Sequence, residues 1–251
     1  MNENKLKELW KKEEAFAFQG WDFSHIKDRW ACEELRWSYG DILRKYLKQT
    51  DCLLDMGTGG GEFLLTLGHP HPLTSVTEAY PPNVSLCQRT LSPLGITVKQ
   101  TYDDDQIPYE DARFDLVINR HESFDVSEVN RVLRSGGHFI TQQVGQHNNA
   151  ELSKRLIDGF VPKFPSHRLG RYLDELSGLG YDLIKQDEMF PSIKFFDVGA
   201  LVFFAKIIEW EFPNFSVDSC FDQLLDCQRE LEEHGFVQSS EHRFLIVARK
   251  P

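Results

Sequence analysis

Long hydrophobic runs are missing from this chain. The longest in its C-terminal third, Val198 to Ala205, stops at Lys206, far short of the ~20 residues a membrane-spanning helix needs. The first residues, Met1 to Glu14, are charged throughout and contain no apolar core of a secretory signal, so the sequence predicts a cytoplasmic protein without a membrane partner. Cysteine is sparse and odd in number (Cys32, Cys52, Cys87, Cys220, Cys227), with no Cys-x-x-Cys pair. That disfavours a zinc ribbon or a disulfide scaffold, so no metal is expected and a reducing compartment fits best. Positive charge is also scarce: 28 Lys and Arg against 39 Asp and Glu leave a net charge of −11. Such a chain is a poor candidate for wrapping nucleic acid, and only a local basic groove would serve that purpose. A small molecule is the expected substrate. What remains is a globular composition, 41% hydrophobic, 27% charged and 12% aromatic over 251 residues, enough for one large domain or a domain with an elaborated cap.

The pattern of apolar residues divides the chain. Residues 1–50 read as an N-terminal helical lid segment, with Gly20 to Ser24 interrupting it and a second helix predicted over Ile26 to Leu47. From Asp51 short apolar runs alternate with helical patterns. Cys52–Met56, Leu73–Thr77, Gly95–Lys99, Phe114–Ile118 and His138–Val144 read as strands, and Leu64–Leu67, Val84–Leu91 and Val126–Leu133 as the intervening helices. Such alternation implies right-handed βαβ units and a mostly parallel sheet covered on both faces. A helix over Leu169–Leu179 and a strand over Tyr181–Lys185 extend this core to residues 51–185. A helical cap insertion is expected over 186–238, with helices at Val198–Trp210 and Val217–His234, and residues 239–251 hold a terminal strand, His242–Arg249. The helical pieces at 1–50 and 186–238 are candidates for a lid built from both ends of the chain.

The strongest chemical signal is Leu54-Asp55-Met56-Gly57-Thr58-Gly59-Gly60-Gly61-Glu62-Phe63. A strand enters a Gly-x-Gly-x-Gly turn and then a helix. Glycines let a ligand approach the backbone closely, and the turn aims helix N-terminal amides at it. The dinucleotide fingerprint would place its third glycine at position 62, where this chain has Glu62. A carboxylate beside a pyrophosphate is repelled, which argues against NAD and FAD and favours a cationic or zwitterionic ligand. Glu78 closes the second strand, where an acid reaches ribose hydroxyls in this architecture. After the third strand comes Tyr102-Asp103-Asp104-Asp105, in which Asp103, with the Asp104 backbone beside it, is the candidate acceptor for an adenine amino group.

Together these segments resemble class I S-adenosylmethionine-dependent methyltransferases, especially the small-molecule "type 11" branch, over roughly residues 50–145. Leu133-Arg134-Ser135-Gly136-Gly137 is similar to that family's Leu-x-Pro-Gly-Gly turn, with Ser135 in place of proline. The resemblance implies a Rossmann-like α/β fold, a seven-stranded mostly parallel sheet with an antiparallel last strand, and S-adenosylmethionine as cofactor. It implies that Asp55, Gly57, Thr58, Gly59 and Gly61 hold the methionine part, Glu78 the ribose, and Asp103 and Asp104 the adenine.

The segment after the fourth strand, Asn119-Arg120-His121-Glu122-Ser123-Phe124, is the usual catalytic wall of this fold. Asn119 is expected near the cofactor methyl, His121 as a base and Arg120 as an anchor for a substrate carboxylate. The competing reading makes Arg120 and Glu122 a surface ion pair and His121 a helix cap. Gln142 and Gln143 face opposite ways along their strand, so only one can look into the site. Trp21, Phe23, Trp210 and Phe212 are either pocket walls or core. Phe196 to Leu201 is also vaguely similar to the C-terminal part of ribosomal RNA guanine-N1 methyltransferases, whose cysteine zinc module is absent here. A cofactor-binding protein without catalysis is the third reading.

Overall fold

The apolar runs of the central segment become strands of one sheet, each followed by a helix or turn that covers it. A computed structural model describes residues 2–17 and 23–251. In chain order its elements are α1 (Glu3–Glu14), β1 (Trp30–Cys32), α2 (Tyr39–Tyr46), β2 (Leu53–Met56), α3 (Glu62–Leu65), β3 (Thr74–Glu78), α4 (Pro81–Thr90) and β4 (Thr97–Gln100). They continue as β5 (Phe114–Arg120), α5 (Val126–Val132), β6 (Leu133–Val144), α6 (Ala150–Leu156), α7 (Leu169–Gly178) and β7 (Asp182–Met189). The last are β8 (Ser192–Phe195), α8 (Val198–Ile207), α9 (Phe221–His234), β9 (Val237–Ser240) and β10 (Arg243–Arg249). The chain forms two compact units, one of Met1–Leu35, Gly145–His167 and Met189–His242, the other of Arg36–Val144, Arg168–Glu188 and Arg243–Pro251.

The second unit holds a seven-stranded sheet in the order β4-β3-β2-β5-β6-β10-β7. β2 pairs in parallel with β3 and β5, β3 with β4, and β5 with β6, whereas β10 runs antiparallel to β6. The expected Rossmann-like α/β architecture, with an antiparallel terminal strand, is what the structure has. Leu54, Val117 and Phe139 are fully buried on adjacent strands, with Val129 and Val132 of α5 and Tyr172 and Leu176 of α7 in the same core. Phe139 meets Phe124 edge-on, with ring centroids 5.0 Å apart. The Leu133–Gly137 turn is drawn into β6, whose pairing with β5 slips between Phe114 and Leu116.

The first unit has its own sheet, β1-β8-β9, antiparallel throughout. Its centre is α8. Val198 to Ala205, the apolar run of the sequence, is buried on every side, as expected of a helix without a polar face. Asp197 caps that helix through the Ala200 amide and receives a two-pronged contact from Arg29 at 2.7 and 2.8 Å. Arg29 also reaches Glu13 of α1 at 2.8 Å.

Several expectations about the flanking segments are corrected. No helix spans Ile26–Leu47: a 3-10 turn at Ser24–Ile26, β1 and the short α2 replace it. Ser38 starts α2 by accepting from the Asp41 amide, and β1 is held extended by pairing with β8. Residues 36–50 accordingly lie in the unit that contains the large sheet. The segment 186–238 is not wholly helical, because it contains β8 and the start of β9, and its last long helix begins at Phe221 rather than Val217. The α6 helix falls in a stretch for which no helix was expected.

Phe139→Ala should cost ~3–5 kcal/mol, the usual range for removing a buried aromatic ring. Urea unfolding of the full chain measures it. A loss below about 1 kcal/mol would mean that the Phe124–Phe139 pair does not organise the sheet core.

Candidate functional site

The glycine turn is built where β2 ends. The Gly57 and Thr58 amides both donate to the Thr77 carbonyl of β3, at 3.0 and 3.1 Å. That ties the turn to the neighbouring strand and forces the chain to reverse, with Gly57 at φ 66° and Gly59 at φ 64°, a region that favours glycine. At Gly57 a β-carbon would also lie 2.4 Å from Glu122 Cγ. At Gly59 no atom lies within 4 Å of that position, so the missing side chain there leaves room for a ligand.

The Gly59 residue is held from both sides. Its amide donates to Glu78 Oε2 at 2.8 Å, and its carbonyl accepts from the Cys87 thiol at 3.0 Å. The other Glu78 oxygen accepts from the Ala79 and Tyr80 amides at 3.0 and 2.9 Å. Burial first, then the carboxylates of Glu78, Glu62 and Asp55, push the Cys87 thiol up to about 11, so it stays a protonated donor. Asp55 accepts from the Thr58 hydroxyl at 2.7 Å. Burial raises its carboxyl to about 7; Thr58 and Arg120 pull it back, and Glu78 adds to the rise.

A shallow cleft opens beside this turn, lined by Met56, Gly57, Thr77, Ala79, Thr101, Asp103, Asp104, Ile107, Glu122 and Ser123. The structure therefore brings Asp103 and Asp104 to the same cleft as Gly57. Asp105 is exposed and is not among the residues that line it. Glu122, which the sequence placed in a surface ion pair or left unused, lies over Gly57 instead. Burial, then Glu78 and Asp104, raise its carboxyl to about 7.

Asn119 and Arg120 belong to the end of β5 rather than to the loop after it. Asn119 is fully buried and is the register partner of Met56 on one side and Thr141 on the other. Its Oδ1 accepts from Gln143 Nε2 at 2.5 Å, and its Nδ2 has no hydrogen-bond partner among the described residues. Arg120 stacks over the Phe63 ring, 4.2 Å from the centroid, and forms no ion pair with Glu122 among the described contacts. His121 lies in the left-handed region at φ 65°. The residue keeps exposed surface. Crowding by neighbouring atoms, with Arg243 and Arg120 nearby, lowers its pKa. The shift favours the neutral ring and makes it a weaker base than an ordinary histidine.

Of the other residues singled out in the sequence, Phe212 is fully buried in the core of the first unit, where Phe23 packs against Phe203 and Phe204. Trp210 is partly exposed there. Trp21 and Asp22 lie outside the described residues. Sequence reasoning missed Cys87, Trp37 and Glu122. Only Glu122 left a trace, as the residue three beyond Asn119 on the expected catalytic wall.

A mostly parallel sheet with a glycine turn after its first strand in sequence, an acid after the next and a cleft beside them is a Rossmann-like α/β arrangement. Residues 54–141 match the family described as a methyltransferase domain. No curated protein matches the sequence. Among solved structures it is similar to a candidate methyltransferase from Bacillus halodurans, with 18% identity and a TM-score of 0.57, covering 85% of this chain and 99% of that one. The YcgJ protein of Bacillus subtilis shares 17% identity at a TM-score of 0.55, with 84% and 97% covered. A functionally unknown protein of Deinococcus radiodurans shares 13% at a TM-score of 0.55, with 99% and 98% covered. At these identities the likeness shows the fold.

The raised Asp55 carboxyl has a consequence for stability. Its folded pKa of about 7 lies above the unsupported value of 3.8, so the native state holds the proton more tightly than the unfolded state. The resulting stability is complete below the unfolded pKa and is lost as pH rises through about 7. Asp55→Asn removes the titration. The wild type should lose ~1–3 kcal/mol relative to this variant between about pH 5 and pH 8, as read from urea midpoints. A difference independent of pH would show that Asp55 is ionised throughout.

Proposed function

We propose that the chain is an S-adenosylmethionine-dependent methyltransferase that acts on a small molecule. The observation that carries this reading is the Gly57–Gly61 turn, pinned by Glu78 and opening on a cleft that Asp103, Asp104 and Glu122 line. The residues fit the cofactor. Gly59 offers open space at its α-carbon, and Glu78 already presents a carboxylate at the end of β3, from which it would accept the ribose hydroxyls. Asp103 would accept from an adenine amino group. The acidic walls suit a ligand that carries a sulfonium and an ammonium, and disfavour a pyrophosphate. Asp55 and the turn amides Thr58, Gly59 and Gly61 would surround the methionine part.

When bound, the cofactor would supply an electrophilic methyl group to a nucleophilic nitrogen, oxygen, sulfur or carbon of the acceptor. Asn119, buried beside Met56 with an Nδ2 that has no hydrogen-bond partner among the described residues, would orient one of the two partners by donating a hydrogen bond. Holding both in one cleft can itself supply ~7–11 kcal/mol of the acceleration. The net charge of −11 supports a small-molecule acceptor over RNA.

Calorimetry on the full chain should detect S-adenosylmethionine and S-adenosylhomocysteine and no NAD. Gly59→Val should abolish the binding by filling the open position. Glu78→Ala should weaken it by ~1–3 kcal/mol, the range for losing charged hydrogen bonds. Preferential binding of NAD, or no heat with either sulfur compound, would sink the reading. A substrate panel assayed for released S-adenosylhomocysteine then separates an enzyme from a cofactor sensor.

A further inference from the structure

Gln142 sits between two groups whose hydrogen-bonding options differ. The Trp37 indole can only donate, and its Nε1 lies 2.8 Å from Gln142 Oε1. That contact settles which end of the amide is oxygen, so the amide nitrogen faces His121, with Nε2 to Nε2 at 3.0 Å. An amide nitrogen donates, hence His121 Nε2 must offer its lone pair. A neutral imidazole with its Nε2 lone pair engaged carries its proton on Nδ1. The His121 amide adds a backbone tie by donating to the Gln142 carbonyl at 2.9 Å. The left-handed backbone at His121, φ 65°, is uncommon for any residue but glycine and marks a constrained position.

The sheet register gives the ring its company. Arg120 is the partner of Gln142, and Gln142 is the partner of Leu245, two residues after Arg243. Residues in register, and residues two apart on one strand, leave a sheet on the same face. Arg120, Gln142 and Arg243 therefore project together, on the face that also carries Asp55, the partner of Ile118. Both guanidinium groups act on the His121 ring and lower its proton affinity. In a chain this acidic, a corner with two arginines and a neutral N–H donor suits an anion.

We propose that Gln142 is a positioning residue that holds His121 as a neutral Nδ1–H donor, and that His121 with Arg120 forms the subsite for an anionic oxygen group, carboxylate or phosphate, of the acceptor. This rests on the methyltransferase reading for the identity of the acceptor, but the geometry of the subsite does not use the cofactor. His121 then fixes the acceptor instead of taking its proton.

The test is nitrogen-15 NMR of the full chain labelled at histidine, with the His121 signals identified by their loss in His121→Asn. At neutral pH the wild type should show protonated Nδ1 and unprotonated Nε2. Gln142→Glu replaces the donor by an acceptor and should move the proton to Nε2. Should that variant fail to fold, Trp37→Phe frees the amide to turn and should populate both tautomers. Acetate and inorganic phosphate are then titrated separately against a chloride control. One or both should shift the His121 signals saturably, and which one does so tells carboxylate from phosphate. Arg120→Gln should weaken the effect at least tenfold. Protonated Nε2 in the wild type, a tautomer unmoved by both variants, or no anion effect beyond chloride would each overturn the proposal. Because no arm contains the cofactor, these failures are distinct from a failed S-adenosylmethionine titration.

Discussion

The hydrogen bond from the Gly59 amide to Glu78 is the contact on which the site depends. It joins the turn after β2 to the end of β3, across the strand pair that Leu53–Met56 and Thr74–Thr77 already form. A carboxylate that accepts from a backbone N–H makes a strong, charge-assisted bond, and here one carboxylate accepts from three amides. The Cys87 thiol completes the arrangement from α4. Gly59 is thereby held with its open side toward the place a ligand would take, at no cost of rearranging the turn. The same bond lets the two ends of adjacent strands act as a single wall.

Charge is distributed unevenly around that wall. Burial pushes the Asp55 and Glu122 carboxyls up to about 7, with Glu78 adding to both rises and Asp104 to that of Glu122. A cation placed among them would relieve the repulsion, whereas a second anion would add to it. Arg120, on the strand beside β2, and Arg243, on β10, depress the His121 ring. The second unit thus has acidic groups around the cleft and two arginines beside His121, with Arg120 acting on both Asp55 and His121.

How much of this was legible in the sequence follows from the range of the interactions. β2, β3, α4, β5 and α5 were predicted nearly in place because each is encoded by its own apolar period, and the glycine turn by its composition. Glu78 stood out by its spacing from that turn, and Asp103 and Asp104 by following the third strand; the structure sets Glu78 against Gly59 and the two aspartates at the cleft. The β1-β8-β9 sheet was not, since its strands are short, partly polar and drawn from opposite ends of the chain. Trp30 and Ala31 extend only because Phe195 and Lys194 pair with them. Residues 26–47, rich in Trp and Leu, mimic a helical period that this pairing overrides. Cys87 looked like an ordinary helix-face cysteine, and nothing local says that its thiol meets Gly59.

His121 shows the limit of arguing from residue type. A histidine after the fourth strand of such a sheet suggests a base because a free imidazole titrates near neutrality. That inference assumes an open lone pair and an unperturbed environment. Here Gln142 occupies Nε2, and it can do so in only one sense because Trp37 occupies the other end of its amide. The two glutamines also divide the work by alternation: Gln143 turns to Asn119 and Thr141 on one face while Gln142 turns to Trp37 and His121 on the other. The sequence shows that the pair must split, but the partner of each is set by Trp37, more than a hundred residues earlier in the chain. The role of a titratable group is therefore fixed by the donor count of its neighbours, and a tryptophan with a single N–H is enough to make a histidine a donor.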